Sequence, residues 1–153
     1  MASPWAEVIG LLCDQLEVQE TLLEMAKKKA ELVVEGRIRD LELLLLTEET
    51  LLVRAGRLES ARQDLHGRLA LTTGEDVSGL TLKELATRAP ADARVELNSL
   101  EVDLRRVTSE LGRQAQVNLE LLKQALTMVN YQLSLLDPSG TGQYLRPHFD
   151  RKA

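Results

Sequence analysis

The chain has 153 residues and a net charge of −5, and 44% of its residues are hydrophobic. This composition supports a buried core in a single domain and excludes a chain that is disordered by composition. It also argues against a nucleic-acid partner, because the one basic triplet, residues 27–29, is flanked by acids and fans around a helix as a solvated surface.

The cysteine content and hydropathy predict a cytoplasmic protein without membrane insertion. Cys13 is the lone cysteine, which permits no intramolecular disulfide and fits a reducing compartment. No stretch reaches the ~20 apolar residues that a membrane span needs, and residues 1–7 lack the features of a secretory signal. Because Cys13 adjoins the apolar stripe of the first helix, it is interpreted as buried rather than nucleophilic.

The first predicted helix covers residues 4–35. Ser3 can cap its free N–H groups, and Pro4 suits the first helical position. Apolar positions recur with steps of four and three, as in coiled-coil packing. Gly36 either ends this helix or bends a longer one.

The second predicted helix covers residues 37–71. Its leucines at 44, 51, 58 and 65 lie one heptad apart. Glu48 occupies a position of the same stripe, and the pair Glu48 and Glu49 is interpreted as surface charge. A loop with two glycines follows. Thr81 and Glu84 then have the spacing of a capping box for a short helix over residues 82–88, ahead of Pro90.

The last predicted helix covers residues 91–136, and residues 137–153 are predicted to be a flexible tail. The fold class is therefore all-α: an elongated antiparallel helical hairpin or bundle with coiled-coil-like packing. It contains about three long helices and one short helix, in a single domain over residues 1–136.

The sequence offers no template for catalysis or for a metal or cofactor site. The two histidines, His66 and His148, lie far apart, and His66 is placed on the exposed side of the leucine heptad. One cysteine and two distant histidines cannot form a zinc site, and no phosphate-binding loop or nucleophile elbow occurs. The chain is predicted not to be an enzyme.

Charge is distributed unevenly along the last helix. Nine charged residues lie between positions 91 and 113, but only Glu120 and Lys123 lie between 114 and 136. The second half also carries a second apolar stripe, which begins at Ala115 and lies one residue out of phase with the first, so two stripes run side by side.

Either both stripes belong to a wider core, or one of them forms a groove for an amphipathic helix of another protein. Asn118 either sets helix register or contacts that partner. The candidate binding residues are Asn118, Leu119, Leu122, Leu126, Val129, Asn130, Leu133 and Leu136.

Several segments in order resemble one family. Residues 39–52 and 58–62, the short element 81–85 and the closing segment 118–122 are similar to FlgN-type flagellar export chaperones. Gly140 and Gly142 precede Tyr144 here, whereas the family often places glycine after the tyrosine, so no role is carried over to Tyr144.

The resemblance implies a cytoplasmic type III secretion chaperone that binds the C-terminal helical region of hook-associated (hook–filament junction) proteins. Such a chaperone prevents their premature assembly and delivers them to the export apparatus. It also implies that the client contact lies in the C-terminal helix.

Two other functions stay open from the residues alone. The chain could be a structural coiled coil that uses both stripes for a homodimer and has no client. A membrane-surface helix is disfavoured, because the last helix lacks a lysine-rich polar face.

Overall fold

The computed structural model describes residues 3–136, so the predicted tail with Tyr144 and His148 lies outside the described residues. The described part is 89% helical and contains no strand, which confirms the all-α class. The helices are α1 (Pro4–Glu35), α2 (Ile38–Thr73), α3 (Leu82–Ala86) and α4 (Ala91–Leu136).

Local capping explains where the first helices begin and end. The side chain of Ser3 accepts a hydrogen bond from the backbone N–H of Ala6 at 3.2 Å. Gly36 ends α1 in the left-handed conformation, with φ 67°, which costs glycine little because it has no Cβ. Gly36 therefore separates two helices rather than bending one.

α2 differs slightly from its predicted bounds of 37–71. Arg37 is the residue that precedes the helix, and the helix continues through Thr73 to the left-handed Gly74. Thr72 and Thr73 lie beyond the predicted end, and their hydroxyls donate to backbone carbonyls one turn earlier, at Arg68 and Leu69 respectively. Threonine can make this bond without leaving the helix.

α3 ends at Ala86, two residues before its predicted end at 88. The capping box is present: Glu84 N–H donates to the Thr81 hydroxyl, and Thr81 N–H donates to the Glu84 carboxylate. Beyond Ala86 the backbone hydrogen bonds join residues three apart instead of four, as from the N–H of Arg88 to the carbonyl of Leu85. This tightened turn brings the chain to Pro90, before which helical geometry is disfavoured.

α1 is the central helix, with α2 and α4 packed against it on different sides. The backbones of α2 and α4 do not pack against each other. Arg68 pairs with Glu7 and Lys29 pairs with Glu48, so α2 runs antiparallel to α1. The Thr108 hydroxyl donates to Gln19 Oε1 at 3.1 Å, and Asn118 Nδ2 donates to the Ala26 carbonyl at 2.9 Å. These two bonds show that α4 runs parallel to α1.

The main core lies at one end of the molecule, where the start of α1 meets the end of α2. α3 and the segments around it pack into the space between α2 and the start of α4 at this end, and Leu69, Val77 and Leu97 are almost completely buried. α3 has only five residues, so it covers only this end of α1. At the other end, near Gly36, no fourth helix formed by residues 3–136 packs against α1.

Candidate functional site

An open apolar groove of about 660 Å³ runs along α1 between α2 and α4. α1 forms its floor, and the two other long helices form its walls. We call it the α2–α4 groove. It is lined by Leu22, Ala26, Lys29 and Val33 of α1, by Leu41, Leu45, Glu48 and Leu52 of α2, and by Leu111, Ala115, Asn118, Leu119 and Leu122 of α4.

The groove exists because α1 is apolar over an arc wider than one partner can cover. Val18, Met25 and Leu32 are buried and recur every seven residues, which keeps them on one side of the helix. The floor positions Leu22, Ala26, Lys29 and Val33 lie on an adjacent strip of the helix surface. A helix that carries two adjacent strips needs a further partner where α3 does not reach.

Polar groups cross the groove at one level. Lys29 Nζ lies 2.8 Å from Glu48 Oε2 and 3.0 Å from Oε1, and both side chains are partly buried. Asn118 accepts a hydrogen bond from Gln114 and donates to the Ala26 carbonyl. We call Lys29, Glu48 and Asn118 the polar band.

The polar band corrects two interpretations of the sequence. Lys29 does not share the solvated character of Lys27 and Lys28, because it bridges α1 and α2. Glu48 is not a plain surface charge, because it pairs with Lys29 inside the groove. The sequence did contain one signal, since Glu48 interrupts an otherwise leucine-rich stripe.

The structure brings some of the predicted binding residues together. Asn118, Leu119 and Leu122 line the α2–α4 groove. The other predicted residues lie further along α4 and are not part of its lining: Leu126, Val129, Asn130, Leu133 and Leu136. The steps of three and four from Leu122 to Leu126, Val129 and Leu133 keep these side chains on the groove side of α4.

The wall formed by α2 was missed by sequence reasoning. Leu45 and Leu52 line the groove, and both stay exposed although they belong to a helix packed on α1. The run of leucines at 43–46 held the signal, because four consecutive residues spread around the whole helix and cannot all face one partner.

Two other interpretations of single residues were wrong. Cys13 is exposed rather than buried. His66 is half-buried instead of exposed, and it lines a small apolar cavity of about 90 Å³ with Val8 and Leu85. Burial, together with the nearby Arg62 guanidinium, lowers the pKa of His66.

Neither a metal site nor a membrane span can be assigned in the part of the chain that the structure describes. Residues 3–136 hold no group of three or more potential metal-ligating side chains. No helix among them is long and apolar enough to cross a membrane.

In the described residues, the fold and the groove define a class: an all-α bundle with three long helices, a short helix that covers one end, and an apolar surface that residues 3–136 leave open at the other end. The sequence model of the FlgN protein family matches residues 2–145. The chain therefore belongs to the FlgN family, whose members are flagellar export chaperones that bind hook-associated proteins. No curated protein and no solved structure matches the chain.

Proposed function

We propose that this protein is a cytoplasmic chaperone that binds the C-terminal helical region of hook–filament junction proteins. It keeps these clients from assembling prematurely and delivers them to the type III export apparatus. The α2–α4 groove is the observation that carries the proposal, because it is an apolar, helix-walled channel with no helix of the described chain in it.

The client contact is the second apolar stripe of α4. Leu119 and Leu122 form the wall of the groove, and the stripe continues through Leu126, Val129 and Leu133. An amphipathic helix laid along this stripe would also touch the α1 floor and complete a four-helix arrangement at the open end.

Hydrophobic burial supplies the binding free energy. Each apolar side chain that becomes fully buried contributes at most ~1.5–3 kcal/mol, and association and side-chain ordering offset part of the sum. Several such contacts support a dissociation constant that is roughly micromolar or lower. The same burial explains the protection, since a client stripe covered by the groove cannot pair with another client subunit.

Calorimetric titration tests the proposal. The purified protein is titrated with the C-terminal helical fragment of a hook–filament junction protein from the same organism. The expected result is a one-to-one complex that the double variant Leu126→Glu/Val129→Glu weakens at least about tenfold, because two charges would enter an apolar contact.

The matched control carries the same two added charges on the far side of α4. Val117 and Leu135 are exposed there, at 50% and 62%, and Val117→Glu/Leu135→Glu should leave affinity unchanged. Light scattering on the free protein accompanies the titration. A stable dimer that binds no fragment would replace the proposal with the homo-oligomeric coiled coil.

A further inference from the structure

The polar band divides the α2–α4 groove into two apolar compartments. Towards Gly36 lie Val33, Leu41, Leu45 and Leu122, and on the other side lie Leu22, Leu52, Leu111 and Ala115. Between them stand Lys29 and Glu48, one helical turn from apolar neighbours in both directions along their own helices. A helix bound along the groove must therefore cross a charged pair midway.

Covering this pair with an apolar residue is costly because its hydrogen bonding is incomplete. The Lys29 ammonium has three N–H donors, and within residues 3–136 its contacts are with the two carboxylate oxygens of Glu48. At least one donor of Lys29 therefore points away from Glu48. A buried ion pair becomes favourable only when its remaining donors and acceptors are satisfied.

The charge balance of the pair restricts what can satisfy it. A carboxylate on the bound helix that reached Lys29 would lie equally close to Glu48, which would repel it. A lysine or arginine that reached Glu48 would in the same way be repelled by Lys29. A neutral side chain that both accepts and donates avoids either repulsion. The carboxamides of Asn and Gln do both, accepting from the ammonium and donating to the carboxylate.

We propose that the bound client helix carries one Asn or Gln within its apolar stripe, and that this residue pairs with Lys29 and Glu48 and fixes the register of the helix in the groove. A single polar residue in an apolar helix interface is known to specify register, because every shifted alignment leaves it unpaired. This inference rests on the proposed function, since it describes the occupant of the same groove.

A double-mutant cycle across the interface tests the inference. The probe is the C-terminal helical fragment of a hook–filament junction protein, in which each neutral polar residue of the apolar stripe is changed to Leu in turn. Against the wild-type protein, the change at one position should weaken binding at least about tenfold, because the charged pair is then buried without its partner. Against Lys29→Met/Glu48→Leu, the same change should have no such effect.

Two further variants sharpen the cycle. Lys28 and Glu31 form an exposed pair on α1, so Lys28→Met/Glu31→Leu removes the same charges outside the groove and should preserve the tenfold loss. The reversed pair Lys29→Glu/Glu48→Lys keeps the bridge and should also preserve it, because a carboxamide can rotate to exchange donor and acceptor. Circular dichroism establishes that each variant is helical.

The outcomes separate this inference from the proposed function. In one outcome, the unmodified fragment binds, but every polar-to-Leu change has the same effect on the wild-type protein and on Lys29→Met/Glu48→Leu. This result overturns only the inference about register. Tight binding of a fragment whose stripe holds no Asn or Gln does the same. If the unmodified fragment does not bind the wild-type protein, both proposals are wrong.

Discussion

The environment of His66 makes the contribution of this residue to folding stability depend on pH. Its ring is half-buried beside the small cavity, and Arg62 Nη1 lies 3.1 Å from His66 Nε2. Burial is the main reason that the pKa of His66 is lowered, and the positive charge of Arg62 adds to it. The folded state therefore favours the neutral form of the His66 ring, in which Arg62 donates a hydrogen bond to the unprotonated nitrogen.

The sign of the pH effect follows from this lowered pKa. The unfolded chain takes up the proton at a higher pH than the folded chain, so acid favours unfolding. The contribution of His66 is fully present above its unfolded pKa of about 6.5 and is lost as the pH falls through the lower folded pKa. We expect the urea midpoint of the wild type to fall more steeply below about pH 6.5 than that of His66→Gln.

The carboxylates with lowered pKa, Glu59, Asp76 and Glu84, are present in both proteins. Because the charge of His66 contributes to lowering the pKa of Glu59 and Asp76, the difference between the two profiles reports His66 together with its interaction with these two carboxylates. His148 is likewise common to both. Parallel pH profiles for the two proteins would show that the environment of His66 does not contribute to folding.

Among the elements, the α1–α2 hairpin depends on the conformation of one glycine. Gly36 adopts φ 67° and ends α1, whereas Gly10 lies inside α1. A Cβ added at either position meets no atom within 4 Å. The two sites therefore differ in backbone conformation and not in packing, which makes them a matched pair.

Alanine should have opposite effects at these two glycines. Gly36→Ala forces an L-residue into the left-handed region, at a cost of about 1 kcal/mol. Gly10→Ala replaces glycine inside a helix and should stabilise by about 0.5–1 kcal/mol. Chemical denaturation of both variants measures the difference, and destabilisation by Gly10→Ala would mean that α1 is not regular at that point.

The elements themselves could be predicted because their signals are local. The spacing of Thr81 and Glu84 predicted the capping box that the structure contains, since the two groups satisfy each other's backbone N–H. In α4, the buried residues Leu97, Leu100 and Val107 follow a periodicity of three and seven that is visible in the sequence itself. The errors fell at helix ends, where Thr72 and Thr73 can serve either a loop or a last helical turn.

At the scale of the whole molecule, the site was only partly predictable. The charge-poor second half of α4 pointed to Leu119 and Leu122, because an extra apolar stripe on a helix is visible in its own sequence. The α2 wall and the Lys29–Glu48 pair were not visible in this way. They depend on how α2 and α4 are placed on α1, which brings residues of three helices together in one groove.

The α2 wall therefore provides the test that distinguishes a groove from a single binding helix. Leu45 and Leu52 face the groove and are 44% and 54% exposed, so glutamate at both positions should leave the free protein folded. We expect Leu45→Glu/Leu52→Glu to weaken binding of the client fragment at least about tenfold, because its apolar stripe would then meet two unpaired carboxylates.

The outer surface of α2 offers the matched control. Leu43 and Leu46 belong to the same helix, are 63% and 62% exposed, and are not part of the groove lining. Leu43→Glu/Leu46→Glu adds the same charge and should change the affinity less than about twofold, measured by the same titration. If both double variants bind as the wild type does, the client lies on α4 alone. If both double variants lose binding equally, the loss is due to the change in net charge, and the α2–α4 groove is not the binding site.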